Sequence, residues 1–186
     1  MPPDEVLFVG RRFRVERVVQ TTPDGARHVR EVVRHPGAVV VLPLLADGRV
    51  CLIENYRVAV GQTLWELPAG TLEPNEDPAE TARRELAEET GYRAGRIEHL
   101  LSFYTSPGVL DERMHLYLAT ELAAGPLQLE AGEDIRPRLV AWDEALAMLA
   151  RSEIRDAKSI AGLLYYRLVR DNPVRTGEGE TVGFAE

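Results

Sequence analysis

The sequence predicts a mixed α/β domain, and three observations carry that prediction. Short apolar segments of strand-like composition are separated by turn residues. One strongly marked helix stands among them, and two further helical patterns close the chain. At 186 residues and 45% apolar, the chain has the size of one domain and enough apolar material for a core.

The elements follow in order. Residues 6–20 read as a strand, with apolar Val6, Phe8, Phe13, Val15, Val18 and Val19. Thr21 to Gly25 (TTPDG) is a turn, because Pro23 presets φ and Gly25 accepts positive φ. Val29 to Val33 forms a second strand. Pro36-Gly37 opens the dense run Ala38 to Leu45, suited to a strand buried on both faces. Asp47-Gly48 is expected to close a hairpin back along Val50 to Tyr56. Leu64 to Leu67 is a short strand before Pro68-Ala69-Gly70.

The strong helix comes next. Asp77 is its N-cap, Pro78 takes the first helical position, and Glu80 stands three residues after the cap. It runs through Ala82, Leu86 and Ala87 and stops at Gly91, a C′ residue. Strands over 97–104, 114–120 and 138–142 and helices over about 143–150 and 157–170 complete the order. The stretch after Asn172 is polar and Gly-rich and is expected to be flexible. The expected organisation is an N-terminal β segment over 1–35, a domain over 36–171 and a tail over 172–186.

Composition excludes several classes. A single cysteine, Cys51, forms no internal disulfide and no Cys-rich zinc site, and its apolar neighbours predict an inert thiol. No signal peptide is visible, and the best apolar run, residues 37–46, contains Pro43 and is too short to span a bilayer. A cytoplasmic protein with no membrane partner is expected. The net charge is −8, and its placement matters more than its size. Residues 73–91 hold seven acids against Arg83 and Arg84, so nucleic-acid binding through phosphate neutralisation is not expected. An acidic site can still take a phosphorylated ligand if metal cations reverse its sign. His28, His35, His99 and His115 show no i, i+4 pairing, and Trp65 and Trp142 read as packing residues.

Glu85, Glu88 and Glu89 stand at i, i+3 and i+4, so three carboxylates project from one helical face and repel one another. Arg84, one residue from Glu85, is expected to lie off that face. Two readings are open: a solvated acidic face, or a cluster neutralised by a hard divalent cation such as Mg²⁺ or Mn²⁺.

The flanks extend the pattern. From Gly70 the chain reads GTLEPNEDPAETARRELAEETGY, with Gly70, Glu76, Arg84, Glu85, Leu86, Glu88, Glu89 and Gly91 at fixed spacing. This resembles the signature of the Nudix hydrolases, departing only at the packing position Tyr92. The resemblance implies an α/β/α sandwich around a mixed β-sheet and cleavage of a nucleoside diphosphate linked to a further moiety. It further implies metal ligation by Glu85, Glu88, Glu89 and the carbonyl of Ala69. Glu76 and Arg84 would form a supporting contact, between the box glycines Gly70 and Gly91.

Ser106-Pro107-Gly108, with its proline 15 residues after Tyr92, resembles the ADP-ribose pyrophosphatase branch of that family. Residues 36–70, 105–119 and the closing DAKSIAGLLYY resemble it too. The branch implies hydrolysis of ADP-ribose to AMP and ribose 5-phosphate, with Pro107 and Gly108 at the substrate. Other nucleoside diphosphate derivatives (nucleotide sugars, NADH) and a non-catalytic binding domain are the alternatives; the intact glutamates favour an enzyme. On the residues alone, Ser-Pro-Gly is also a plain turn.

Arg57, just after an apolar strand, is expected either to reach a phosphate or to pair with Glu54. Arg30 and Glu31 read as a cross-strand charge pattern. The branch resemblance instead places them at the adenine of a homodimer that exchanges its N-terminal segments. For the base that activates water, Glu133 in the acidic loop Ala131–Ile135 is the position resembling the branch, with Asp134 and Glu88 as alternatives.

Overall fold

The computed structural model describes residues 5–129 and 131–171; the tail expected over 172–186 lies outside them. Strands β1 (Glu5–Val9), β2 (Arg14–Thr21) and β3 (Arg27–Arg34) form an antiparallel sheet of their own. The one strand expected over 6–20 is therefore two. The chain turns at Gly10, whose N–H donates to the Phe13 carbonyl at 2.8 Å, and the Phe8 and Phe13 rings close on each other at 5.8 Å. The TTPDG turn forms as expected, with Gly25 at φ 87°.

The next elements are β4 (Ala38–Pro43), β5 (Arg49–Arg57), β6 (Gln62–Glu66) and β7 (Ala69–Thr71), followed by helix α1 (Pro78–Thr90). After them come β8 (Tyr92–Tyr104), β9 (Arg113–Ala124), β10 (Ile135–Ala141), α2 (Trp142–Ala150) and α3 (Ala157–Tyr165). The central sheet has the order β7-β4-β9-β8, with β4 parallel to β9 and the other neighbours antiparallel. Every residue of β4 is buried, because helices cover both faces of the sheet. Val40 and Leu42, with Leu116 and Leu118, pack in the layer containing Met148 of α2 and Leu163 of α3. Val39 and Val41, with Tyr117 and Ala119, pack against Ala82 and Leu86 of α1. Alternation along one strand thus builds both halves of an α/β/α sandwich.

The Asp47-Gly48 turn forms, with Leu45 N–H donating to the Arg49 carbonyl at 2.8 Å, but it does not join a two-stranded hairpin. Leu44 and Val50 make one isolated bridge, after which β4 enters the central sheet and β5 pairs with β10 and β6 in a separate one. The helix expected over 157–170 is α-helical only to Tyr165 and ends in a π-helical turn, Tyr166–Asp171. Trp65 and Trp142 flank the core as expected, and Cys51 is buried with its thiol pushed up to about 12. Among the described residues, no helix is long and apolar enough to cross a membrane.

Candidate active site

Helix α1 is fixed at both ends by its sequence. The Asp77 carboxylate accepts from Ala79 N–H at 2.7 Å, and Gly91 takes the left-handed conformation at φ 73°. A Cβ on Gly91 would also approach the Gly125 carbonyl to 2.9 Å, so glycine is required there twice over. Opposite the helix, Pro68-Ala69-Gly70 is tied to the core by Val41 N–H donating to the Pro68 carbonyl, and β7 then pairs Ala69 with Val40 and Gly70 with Val39.

This short strand, too brief to be foreseen, meets the acidic face of α1. Ala69 N–H donates to Glu89 Oε2 at 2.8 Å. Glu89 is only 3% exposed, and burial pushes its carboxyl up to about 8; the charges of Glu85 and Glu133 act in the same direction, while Ala69 N–H and Arg57 oppose. The Glu85 carboxylate lies over Gly70, where any Cβ would overlap it. Burial raises the Glu85 carboxyl as well, with Arg84 opposing and Glu88 and Glu133 reinforcing.

Arg84 spans the acids. Its Nε and Nη2 donate to the two oxygens of Glu76, both at 3.1 Å, and its Nη1 donates to Glu85 at 2.7 Å and Glu88 at 3.0 Å. The expected Glu76–Arg84 contact is present, and it holds the Glu76 carboxyl below its ordinary range. The expectation that Arg84 lies off the acidic face is corrected: its long side chain folds back onto Glu85 and Glu88. Among the described residues, no three His, Cys, Asp or Glu side chains converge as metal ligands would. Glu85 at Gly70 and Glu89 at Ala69 N–H nevertheless offer carboxylate oxygens, the donor chemistry that suits a hard divalent cation.

Arg57 pairs with neither Glu54 nor solvent alone. It donates from Nε and Nη2 to the two oxygens of Glu66, at 2.8 and 2.6 Å, and Glu66 is completely buried. Glu54 instead lies 2.8 Å from Arg138. Glu66 raises the Arg57 guanidinium first, with a further contribution from Glu89, so Arg57 is felt at the acidic face. Glu133 follows Gly132 (φ 96°) in its turn, and its charge acts on both Glu85 and Glu89. Its neighbour Asp134 lies 3.5 Å from Arg136.

Other expected residues are not gathered here by the single chain. Arg30 donates to the Val29 carbonyl, and Glu31 sits opposite Arg17, 3.7 Å away, in the cross-strand pattern. Pro107 and Gly108 occupy a turn in which Val109 N–H donates to the Ser106 carbonyl, and nothing lies within 4 Å of a Cβ placed on Gly108. That turn is tied to β3 by Val33 N–H donating to the Val109 carbonyl. Sequence reasoning missed Glu66, Asp156, Lys158 and Ser159, which lie together behind the box. The signal for Glu66 was a lone acid between Trp65 and Leu67. His99 and His115 were read singly, yet both contact the Ser102 hydroxyl at 2.9 Å.

The chain is 40% identical over 166 residues to an ADP-ribose pyrophosphatase of Bacillus subtilis (strain 168), covering 88% of this chain and 90% of that one. It is 39% identical, with the same coverage, to a methanol dehydrogenase activator of Bacillus methanolicus. The solved structure of an ADP compounds hydrolase superposes with a TM-score of 0.79 at 24% identity, covering 92% of this chain and 94% of that one, and shares the fold. The NUDIX domain model matches residues 33–163, which contain the whole acidic box, and the chain belongs to the Nudix hydrolase family.

Proposed function

We propose that this chain hydrolyses the pyrophosphate bond of ADP-ribose, giving AMP and ribose 5-phosphate. The observation that carries the reading is the intact box, with Glu89 docked on Ala69 N–H and Glu85 seated over Gly70. The similarity to an ADP-ribose pyrophosphatase over most of both chains supports the choice of substrate.

Nudix hydrolases generally need divalent metal ions. In this reading Glu85, Glu88, Glu89 and the Ala69 carbonyl hold them, with Mg²⁺ as the physiological ion and Mn²⁺ as a substitute. Bound there, divalent cations supply charge neutralisation on the pyrophosphate oxygens and a lowered pKa for the attacking water. The remaining steps fall to the chain. Glu76, through Arg84, holds the loop against α1. Arg57, fixed by Glu66, presents its guanidinium to a phosphate. Glu133 comes from its turn to take the proton of the water. Pro107 and Gly108 line the substrate from the turn after β8.

The same reading includes a homodimer. Val6, Phe8 and Val9 of β1 and the neighbouring Phe13 are 54%, 53%, 72% and 44% exposed, and large apolar side chains gathered so on one small sheet fit burial against a second subunit. Exchange of that sheet would carry Arg30 and Glu31 to the partner's adenine pocket. A substrate panel tests the assignment: kcat/KM for ADP-ribose should exceed that for GDP-mannose and NADH. A higher value for either competitor reassigns the substrate within the family.

A further inference from the structure

Behind the box, four charged side chains form a closed group that the reading above uses only in part. The fully buried Glu66 carboxylate takes Arg57 on both oxygens and Lys158 Nζ on Oε2. Lys158, with its side chain 12% exposed, also donates to Asp156 Oδ2 at 3.0 Å. Asp156 caps α3 through Ser159 N–H at 3.0 Å and accepts the Ser159 hydroxyl at 2.6 Å. That hydroxyl in turn accepts Leu67 N–H at 2.7 Å.

The first turn of α3 therefore grips Glu66 and Leu67, three and two residues before Ala69. Gly162 brings the same helix close: a Cβ there would stand 2.7 Å from Leu67 Cδ1. The group balances, with Arg57 and Lys158 against Glu66 and Asp156. Both Nε and Nη2 of Arg57 are committed to Glu66, while its side chain remains 40% exposed.

We propose that Lys158 is a positioning residue for substrate binding: by sharing Glu66 and Asp156, it fixes the Arg57 guanidinium and leaves its charge available to a diphosphate. Without the ammonium, two carboxylates face one guanidinium. The neighbourhood gains a net negative charge where an anionic ligand must arrive. The effect falls on binding, because Lys158 acts only through the Glu66 carboxylate that holds Arg57. The inference rests on Arg57 contacting the substrate as proposed above.

The test compares Lys158→Met, Lys158→Arg, Asp156→Asn and Arg57→Lys in the full chain with ADP-ribose and saturating Mg²⁺. Lys158→Met should raise KM roughly tenfold with kcat little changed, the signature of lost uniform binding. Lys158→Arg should restore KM. Asp156→Asn keeps a capping side chain but removes a negative charge, so KM should fall. A merely structural role would instead lower the melting temperature in both Lys158→Met and Asp156→Asn without moving KM in opposite senses. If Lys158→Met does not fold, Asp156→Asn decides, and an unchanged or raised KM overturns the inference. If Arg57→Lys raises KM and Lys158→Met does not, the inference alone is wrong. If Arg57→Lys leaves KM unchanged, the reading of Arg57 fails and takes this inference with it.

Discussion

The Glu85 carboxylate occupies the space that a side chain on Gly70 would need, so the first glycine of the box and its first helical glutamate are one geometric unit. Gly70 lies in β7, within hydrogen-bonded pairing to β4, and its conformation is not left-handed; close approach is what demands glycine here. Gly70→Ala should therefore fold, because the strand tolerates alanine, yet push Glu85 aside. Displacement of about 1 Å is enough to cost about a hundredfold in kcat. Steady-state kinetics beside a thermal melt check this, and wild-type kcat in Gly70→Ala would remove Glu85 from the mechanism.

Burial of Glu89 predicts a pH dependence of stability. Its carboxyl is pushed up to about 8 in the folded chain, above the ordinary carboxylate value of the unfolded one. The folded state then binds the proton more tightly, so its contribution to stability is complete below the unfolded pKa and is lost as pH rises toward about 8. In the presence of EDTA, the melting temperature should fall between about pH 5 and about pH 8, and Glu89→Gln should flatten that slope. Identical slopes in the two proteins would contradict the burial argument.

Kinetics can locate the base. Glu133→Gln should lower kcat strongly with little change in Mg²⁺ dependence, since a base is needed only when the proton moves. Glu88→Gln should instead weaken metal binding, so that more Mg²⁺ is needed for half-maximal rate. Wild-type kcat in Glu133→Gln, together with a collapsed kcat in Glu88→Gln, would return the base to α1.

The exposed apolar side chains of β1 predict association. Sedimentation at micromolar concentration should give a dimer, and deletion of residues 1–35 should abolish both dimer and activity. A fully active monomer would refute the exchanged segment.

What could be read from the sequence divides along a physical line. The caps of α1 and the doubly buried β4 are local patterns, and both appear as expected. Partners brought together by long-range packing were not legible. Arg57 finds Glu66 across β5–β6 pairing, and Lys158 reaches the same carboxylate from α3, 92 residues away. The separation of β4 from β5 escaped for a similar reason. A turn specifies only its own residues, and which sheet each strand joins is decided by β9 and β10 far along the chain. Arg84 was misplaced because only its distance from Glu85 was weighed; it stands four residues before Glu88, a spacing that puts the two side chains together.

The measurement that bears most directly on the central claim is product analysis of purified wild-type and Glu89→Gln protein incubated with ADP-ribose and Mg²⁺. Glu89 holds its place against Ala69 N–H, and removing its charge takes away transition-state stabilisation worth several kcal/mol. The wild type should give AMP and ribose 5-phosphate in equal amounts and none after EDTA, and Glu89→Gln should be slower by orders of magnitude with an unchanged fold. Intact ADP-ribose after prolonged incubation of the wild type, or full activity in Glu89→Gln, would contradict that claim.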